Sequence, residues 1–449
     1  MVLSSLSSAL CVLLLGLGST ATMSVDKGLS IDLSSPLKSV SFHRTTAMSA
    51  PSVDGPAMHY QEIKPVKAKT ASRSAASALR AARSKTPGGG YYQNVTALLD
   101  ASTQYALQVE WDDQPLWLIF DTGSSDTFAI RANHSCVSRF DAPVDTVEHC
   151  AWGPDLIEDF RHGEDPQLHF RVGYGSGEAV SGPLGRSDIS VAGITVEKQL
   201  CGLANYTYWN GNNITNGILG LAYPALTSAY SGPVGDERLA YKKSYSPFFS
   251  TMVSQGLVDP FFAVAIERNS SAGMIGWGGI PPVRWSGRTT AVTDILIANV
   301  AALEEPLNFQ YSFYTIVVDG IQYGHAADFT KYLYIVDTGT TLIHLPQSLA
   351  DAIAHSFEPV AVYMWQYNSY FVPCDAVAPR LAVIINGAHF WINPADLIYQ
   401  GIKESTFGLC MLGITNGGVG PYILGSVFLQ NVVAVFDVGA AQMRFYSRD

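Results

Sequence analysis

Two short stretches of this chain repeat one another, and that repeat constrains the fold more than any other feature. Residues 116–130 read LWLIFDTGSSDTFAI and residues 332–346 read YLYIVDTGTTLIHLP. In each, an apolar run drives into Asp-Thr-Gly-Ser/Thr and then turns apolar again. Ile218-Leu219-Gly220 begins 97 residues after Asp121, and Ile423-Leu424-Gly425 begins 86 residues after Asp337. A single Asp-Thr-Gly-Ser/Thr has a chance on the order of one per cent in a chain of this size. Two isolated Asx turns would explain Asp, Gly and Ser side by side, but not the duplication. The repeat predicts two similar β lobes, each offering one carboxylate at the cleft between them.

Composition agrees. At 449 residues the chain is long enough for two cores, and its 40 Gly, 22 Tyr and 20 Phe with only 14% charged residues favour strands over helices. The expected class is all-β and bilobal, with a few short helices. The lobes are expected at 87–285 and 286–449.

The N-terminal part is different in kind. Leu10–Gly18 is a short apolar run followed by small residues, so residues 1–21 read as a secretory signal, although no Lys or Arg precedes the run. Residues 22–90 carry ten Lys/Arg against four Asp/Glu, net +6; the rest carries seventeen against thirty-four, net −17. A basic segment before an acidic body predicts an intramolecular partner that acid releases as carboxylates protonate. With the Pro87-Gly88-Gly89-Gly90 boundary, residues 22–86 read as a removable propeptide. The acidic body argues against nucleic-acid binding. No membrane span or lipid-anchor tail is present in the sequence, which points to a soluble monomer, secreted or delivered to a vacuole.

Five sequons, Asn94, Asn133, Asn205, Asn213 and Asn269, fit that route. Cys11 leaves with the signal. Of the remaining five cysteines, Cys136 is expected to pair with Cys150 and Cys374 with Cys410, each closing a local loop, with Cys201 a buried free thiol.

Two carboxylates sharing a proton supply both a base to activate water and an acid for the substrate, because side by side they cannot both ionise easily. Other chemistries lack their signatures. The ten His show no His-Glu-x-x-His, there is no Gly-x-Ser-x-Gly, and Gly273–Pro282 has glycines but no Lys-Ser/Thr. His162 and His169 are expected in a surface loop rather than at a metal.

The paired motifs resemble those of the pepsin-like aspartic proteases, over essentially all of residues 91–449; NYTYWNG and LAYPALTSAY place the chain nearest the secreted fungal branch. The resemblance implies an aspartic endopeptidase made as a zymogen, cutting proteins or peptides between bulky apolar residues at acid pH, with neither metal nor cofactor. Asp121 and Asp337 would hold the attacking water. Gly123 and Gly339 would let backbone pass close and donate N–H groups, Thr122 and Thr338 would bond across the lobes, and Ser124 and Thr340 would each bond the outer oxygen of their own Asp. Leu168–Gly182 would be a flap, with Tyr174 closing over substrate and Gly175 and Ser176 contacting it. In the zymogen Lys64, Lys67 or Lys69 would neutralise the dyad. Three departures stand out: Phe128 where relatives often have Trp, Ser426 where many have Asp, and Asn216 where Asp is usual. The rival reading is a pepsin-like binding protein that has lost catalysis; it is disfavoured because both motifs are whole.

Overall fold

The structure is a computed structural model that describes residues 102–137, 150–267, 273–298, 310–404 and 406–448, with the backbone of four earlier strands. The expected signal, most of the expected propeptide including Lys67 and Lys69, and Asn269 lie outside the described residues.

Strands dominate, as the aromatic and β-branched composition predicts. The longest sheet has 16 strands; three smaller sheets of five, four and four strands build the C-terminal half. Hairpin turns are marked where the sequence allows positive φ. Asp112 and Asp113 (φ 50° and 69°) join Ser102–Trp111 to Gln114–Asp121, and Asn386 and Gly387 (φ 48° and 76°) join Leu381–Ile385 to Ala388–Ile392. Among the described residues the α-helices are short: Phe248–Ser254, Gln347–Ala354 and Ser426–Leu429.

Both repeats have one topology. Gln114–Asp121 lies parallel to Gly217–Gly220, with Gly220 opposite Asp121, and Gly217–Gly220 in turn pairs antiparallel with Phe128–Cys136. In the second half Tyr332–Val336 lies parallel to Tyr422–Leu424, which pairs antiparallel with Ile343–Leu345. The apolar-apolar-Gly segment is thus threaded between the two strands that flank each Asp-Thr-Gly. That position explains its composition: Ile218, Leu219 and Leu424 are buried on both faces.

A sheet joins the halves. Phe261–Ala265 pairs with Gly273–Trp277 on one side and with Val432–Asp437 on the other. Beneath it Phe249, Phe262, Trp277, Tyr314 and Phe436 form one aromatic cluster, with Phe262 and Phe436 stacked at 4.7 Å. The Gly273–Pro282 stretch therefore begins with a strand of this joint. Gly273–Trp277 also pairs antiparallel with His59–Val66, a strand from within the expected propeptide that runs parallel to Tyr92–Ala97.

Cys136–Cys150 and Cys374–Cys410 are disulfides, and Cys201 is free and buried. Asn133 and Asn205 are exposed and Asn213 is half-buried; Asn94 lies in the strand Tyr92–Ala97.

Because Phe262 sits at the centre of the joint, Phe262→Ala should destabilise the whole chain by about 3–5 kcal/mol. Denaturant unfolding followed by fluorescence would measure it.

Candidate active site

The end of each Asp strand meets the other. Asp121 and Asp337 are only 7% and 8% exposed, although they are carboxylates. Each is solvated by its own loop. Gly123 N–H donates to Asp121 Oδ1 at 2.7 Å and Ser124 Oγ to Oδ2 at 2.5 Å. Gly339 N–H donates to Asp337 Oδ1 at 2.8 Å and Thr340 Oγ1 to Oδ2 at 2.6 Å.

The loops brace each other through reciprocal hydrogen bonds. Thr122 N–H donates to Thr338 Oγ1 (3.0 Å), and Thr338 Oγ1 donates to the Phe120 carbonyl (3.1 Å). Thr338 N–H donates to Thr122 Oγ1 (3.0 Å), and Thr122 Oγ1 donates to the Val336 carbonyl (3.0 Å). All four are buried, where such bonds hold geometry most firmly.

The glycines have a steric reason. A Cβ on Gly123 would lie 2.6 Å from an oxygen of Asp337, and one on Gly339 would press on Asp121 in the same way. Each loop's glycine is the floor against which the opposite carboxylate rests.

Burial, and then the charge of Asp337, push the Asp121 carboxyl up to about 8, against the lowering effect of Ser124 and Gly123. The pair therefore holds a proton far above the ordinary carboxylate range, and that titration belongs to the pair.

The expected flap is a hairpin of Glu164–Gly173 and Ala179–Val191. Tyr174 opens its tip, where Tyr174 N–H donates to the Glu178 carbonyl and Gly177 N–H to the Tyr174 carbonyl, both at 2.9 Å. Gly175 and Ser176 are exposed at that tip. The Tyr174 hydroxyl is raised well above its ordinary pKa by burial and then by Asp126, Asp121 and Glu178.

Phe128 is fully buried under the flap strand, 5.8 Å from Phe170. The indole beside Tyr174 comes from elsewhere. Trp209 meets Tyr174 edge-on at 5.5 Å and is stacked at 4.8 Å on Trp152. Glu178 ties the tip down, accepting from Ser176 Oγ and from Asn210 N–H, each at 2.8 Å. The other departures are local. Ser426 N–H donates to the Thr340 carbonyl at 2.8 Å, and the Asn216 amide donates to the Gly153 carbonyl at 2.9 Å.

Sequence reasoning missed a third buried acid. Asp126, five residues past Asp121, accepts from Ser228 N–H at 3.0 Å and from the Tyr245 hydroxyl at 2.8 Å. Burial raises its pKa, and the Ser228 and Tyr245 bonds oppose that rise. The signal was present in DTGSSD, a carboxylate inside an apolar run. Ser228 and Tyr245 flank a hairpin in which Ala229–Tyr230 pairs with Lys242–Lys243 and adds to the flap strand at His169–Phe170. His169 is consequently not in a surface loop. It is buried in that strand, 3.3 Å from Glu237, because the added hairpin covers it. His162 instead pairs with Asp188 at 2.8 Å. Among the described residues no group of three or more His, Cys, Asp or Glu is placed to hold a metal ion.

The family model of the eukaryotic aspartyl proteases matches residues 104–447. This chain belongs to that family. It is a pepsin-like aspartic endopeptidase, a hydrolase acting on peptide bonds of proteins or peptides. A protein of Aspergillus fumigatus that carries the name of an aspartic-type endopeptidase is 37% identical over 354 residues, covering 76% of this chain and 78% of its own. Gastricsin of Rattus norvegicus is 27% identical over 360 residues, covering 76% and 80%. The crystal structure of an aspartic proteinase from Irpex lacteus aligns with a TM-score of 0.58 at 19% identity, covering 80% of this protease and 98% of that chain, which supports the all-β bilobal fold.

Two outcomes follow for this protease. Gly123→Ala or Gly339→Ala should fold, by circular dichroism, yet lose about 100-fold or more in kcat/KM, because the new methyl displaces the opposite carboxylate. The second concerns stability. With Asp121 raised to about 8, the folded state keeps a proton that the unfolded chain releases near pH 4. Stability therefore falls as pH rises between about 4 and 8. Asp121→Asn should flatten the fall in Tm across that window and raise Tm at pH 7; Asp126, raised in the same direction, keeps part of the slope.

Proposed function

We propose that Asp121 and Asp337 form a one-proton dyad that cleaves proteins at acid pH by direct attack of water. The observation that carries this reading is the mutual packing of each carboxylate on the other loop's glycine, which puts the two acids face to face. The ionised member takes a proton from water as its oxygen attacks the scissile carbonyl. The protonated member gives its proton to the carbonyl oxygen, forming a tetrahedral diol. Collapse of that diol breaks the C–N bond and delivers a proton to the leaving nitrogen. No acyl-enzyme forms, and no metal or cofactor takes part.

Thr122 and Thr338 hold the two loops, and so the two acids, in one relative position. Ser124 and Thr340 hold the outer oxygens, leaving the inner ones to the water. Tyr174 closes from above, with the backbone of Gly175 and Ser176 set to meet the substrate chain. A bulky apolar pair at the scissile bond is what the family resemblance implies.

The same reading makes the chain a secreted or vacuolar zymogen that works as a monomer. The leader-like residues 1–21, the five sequons and the two disulfides support export. The net charge of the 22–90 segment opposes that of the body, and His59–Val66 lies within the joining sheet. Both features support an ordered pro-segment that acid releases. Among the described residues no helix is long and apolar enough to cross a membrane.

The test is proteolysis of a denatured protein substrate from about pH 2 to 8, using acid-treated full-length chain. Cleavage confined to acid pH, with a shorter chain by mass, is expected. Asp121→Asn and Asp337→Asn should each abolish it. A folded, processed wild type that cuts nothing at any pH would overturn the reading.

A further inference from the structure

The two lobes differ at one equivalent position, and the difference puts an ionisable side chain on the cleft floor. In the N-terminal half Ile119, Ile218, Phe128 and Gly202 stand side by side across adjacent strands. In the C-terminal half the equivalent row is Ile335, Ile423, His344 and Thr415. Phe128 and His344 each lie seven residues past their Asp, beside the Ile of the threaded segment.

Strand alternation decides which way this row faces. Val336, Leu424, Ile343 and Ile414 form the neighbouring row and are buried in the core. Ile335, His344 and their row mates therefore face the other side, the side of Asp337, two residues beyond Ile335. In the N-terminal half the flap residues Phe170, Val172 and Val180 pack over Phe128 in one apolar cluster. Among the described residues no aromatic ring packs on His344. It is half-buried by surface area yet largely desolvated, and no hydrogen bond acts on its ring there. The hairpin of Val362–Met364 and Ser369–Val372 borders the row at Thr415, whose hydroxyl donates to the Asn368 carbonyl at 2.8 Å.

We propose that His344 is a specificity-determining residue, which binds an acidic side chain of the substrate through its imidazolium in the C-terminal half of the cleft. This rests on the reading of Asp121 and Asp337 as the dyad and adds a substrate class to it. A cleft holding two carboxylates in a body of net negative charge repels an acidic side chain; an unpartnered imidazolium facing the same space reverses that locally, and both its N–H groups are free to donate. Burial lowers the His344 pKa and the field of Asp337 raises it again; no other charged group contributes to its shift. Thr415, Ile423 and Asn368, from the elements packed beside it, are uncharged. His344 therefore carries its charge only on the acid side of its lowered pKa and is neutral above it.

The experiment uses the processed enzyme and peptides with an apolar pair at the scissile bond, each other position in turn being Glu, Gln or Lys. At one position Glu should exceed Gln in kcat/KM on the order of tenfold, about 1.4 kcal/mol, with Lys worst. The preference should grow as the Glu side chain ionises and vanish as pH rises through the lowered His344 pKa. His344→Gln should bring the Glu:Gln ratio to about one, while the exposed His355→Gln leaves it in place. The ratio read as affinity in Asp121→Asn, where chemistry is removed, separates this inference from the dyad. Absence of a Glu preference in that variant and in wild type, or its survival in His344→Gln, overturns the role of His344. Peptides that bind with the Glu preference but are never cut by wild type would support His344 and overturn the dyad.

Discussion

The structure depends on holding two carboxylates against each other away from water. Stripping water from one carboxylate is expensive, and placing a second beside it is more so. The site meets that cost in three ways: one proton stays on the pair, each acid accepts a backbone N–H and a hydroxyl from its own loop, and the loops are locked by the threonines. In the proposed mechanism that proton is also the one that reacts. The raised Asp121 pKa is therefore a liability of the fold at neutral pH and, on that proposal, the source of acid chemistry.

That constraint reaches outward. The threonine brace works only if both loops arrive from rigid strands, so each Asp strand is fastened in parallel to a threaded Ile-Leu-Gly. Glycine ends that segment because Gly220 passes against the backbone of Ser125 and Asp126, and Gly425 against the carbonyls of Thr340 and Leu342. The halves must also keep their relative position. The shared sheet and the aromatic cluster around Phe262 provide that footing.

Legibility followed locality. The two Asp-Thr-Gly loops and the hairpin turn at Tyr174 are patterns of adjacent residues, both disulfides close local loops of 14 and 36 residues, and the duplication made the long-range meeting of Asp121 with Asp337 readable. What was not readable came from pairings between distant segments. Asp126 looks like one more turn residue until Ser228 and Tyr245, about a hundred residues away, supply its partners. Trp209 reads as one aromatic among many until the stack on Trp152 turns its edge to Tyr174. The polar surroundings of His162 and His169 suggested a surface loop for both, yet a hairpin that pairs with the flap strand buries His169. The place of His59–Val66 in the sheet likewise depends on a partner more than 200 residues downstream.

The duplication also explains why the lobes are not interchangeable. Two identical halves would place two identical floors under the substrate and two identical covers above it, and a peptide chain has direction. One half therefore carries a flap, and the residue beneath that flap, Phe128, is apolar and sealed. At the matching place in the other half no aromatic ring among the described residues packs on His344, which is where the recognition role is proposed. A titratable residue would be costly at 128, where burial would strip it of water and leave it unpaired. At 344 the field of Asp337 offsets part of that cost, and on the proposal above the same backbone position changes from packing to recognition.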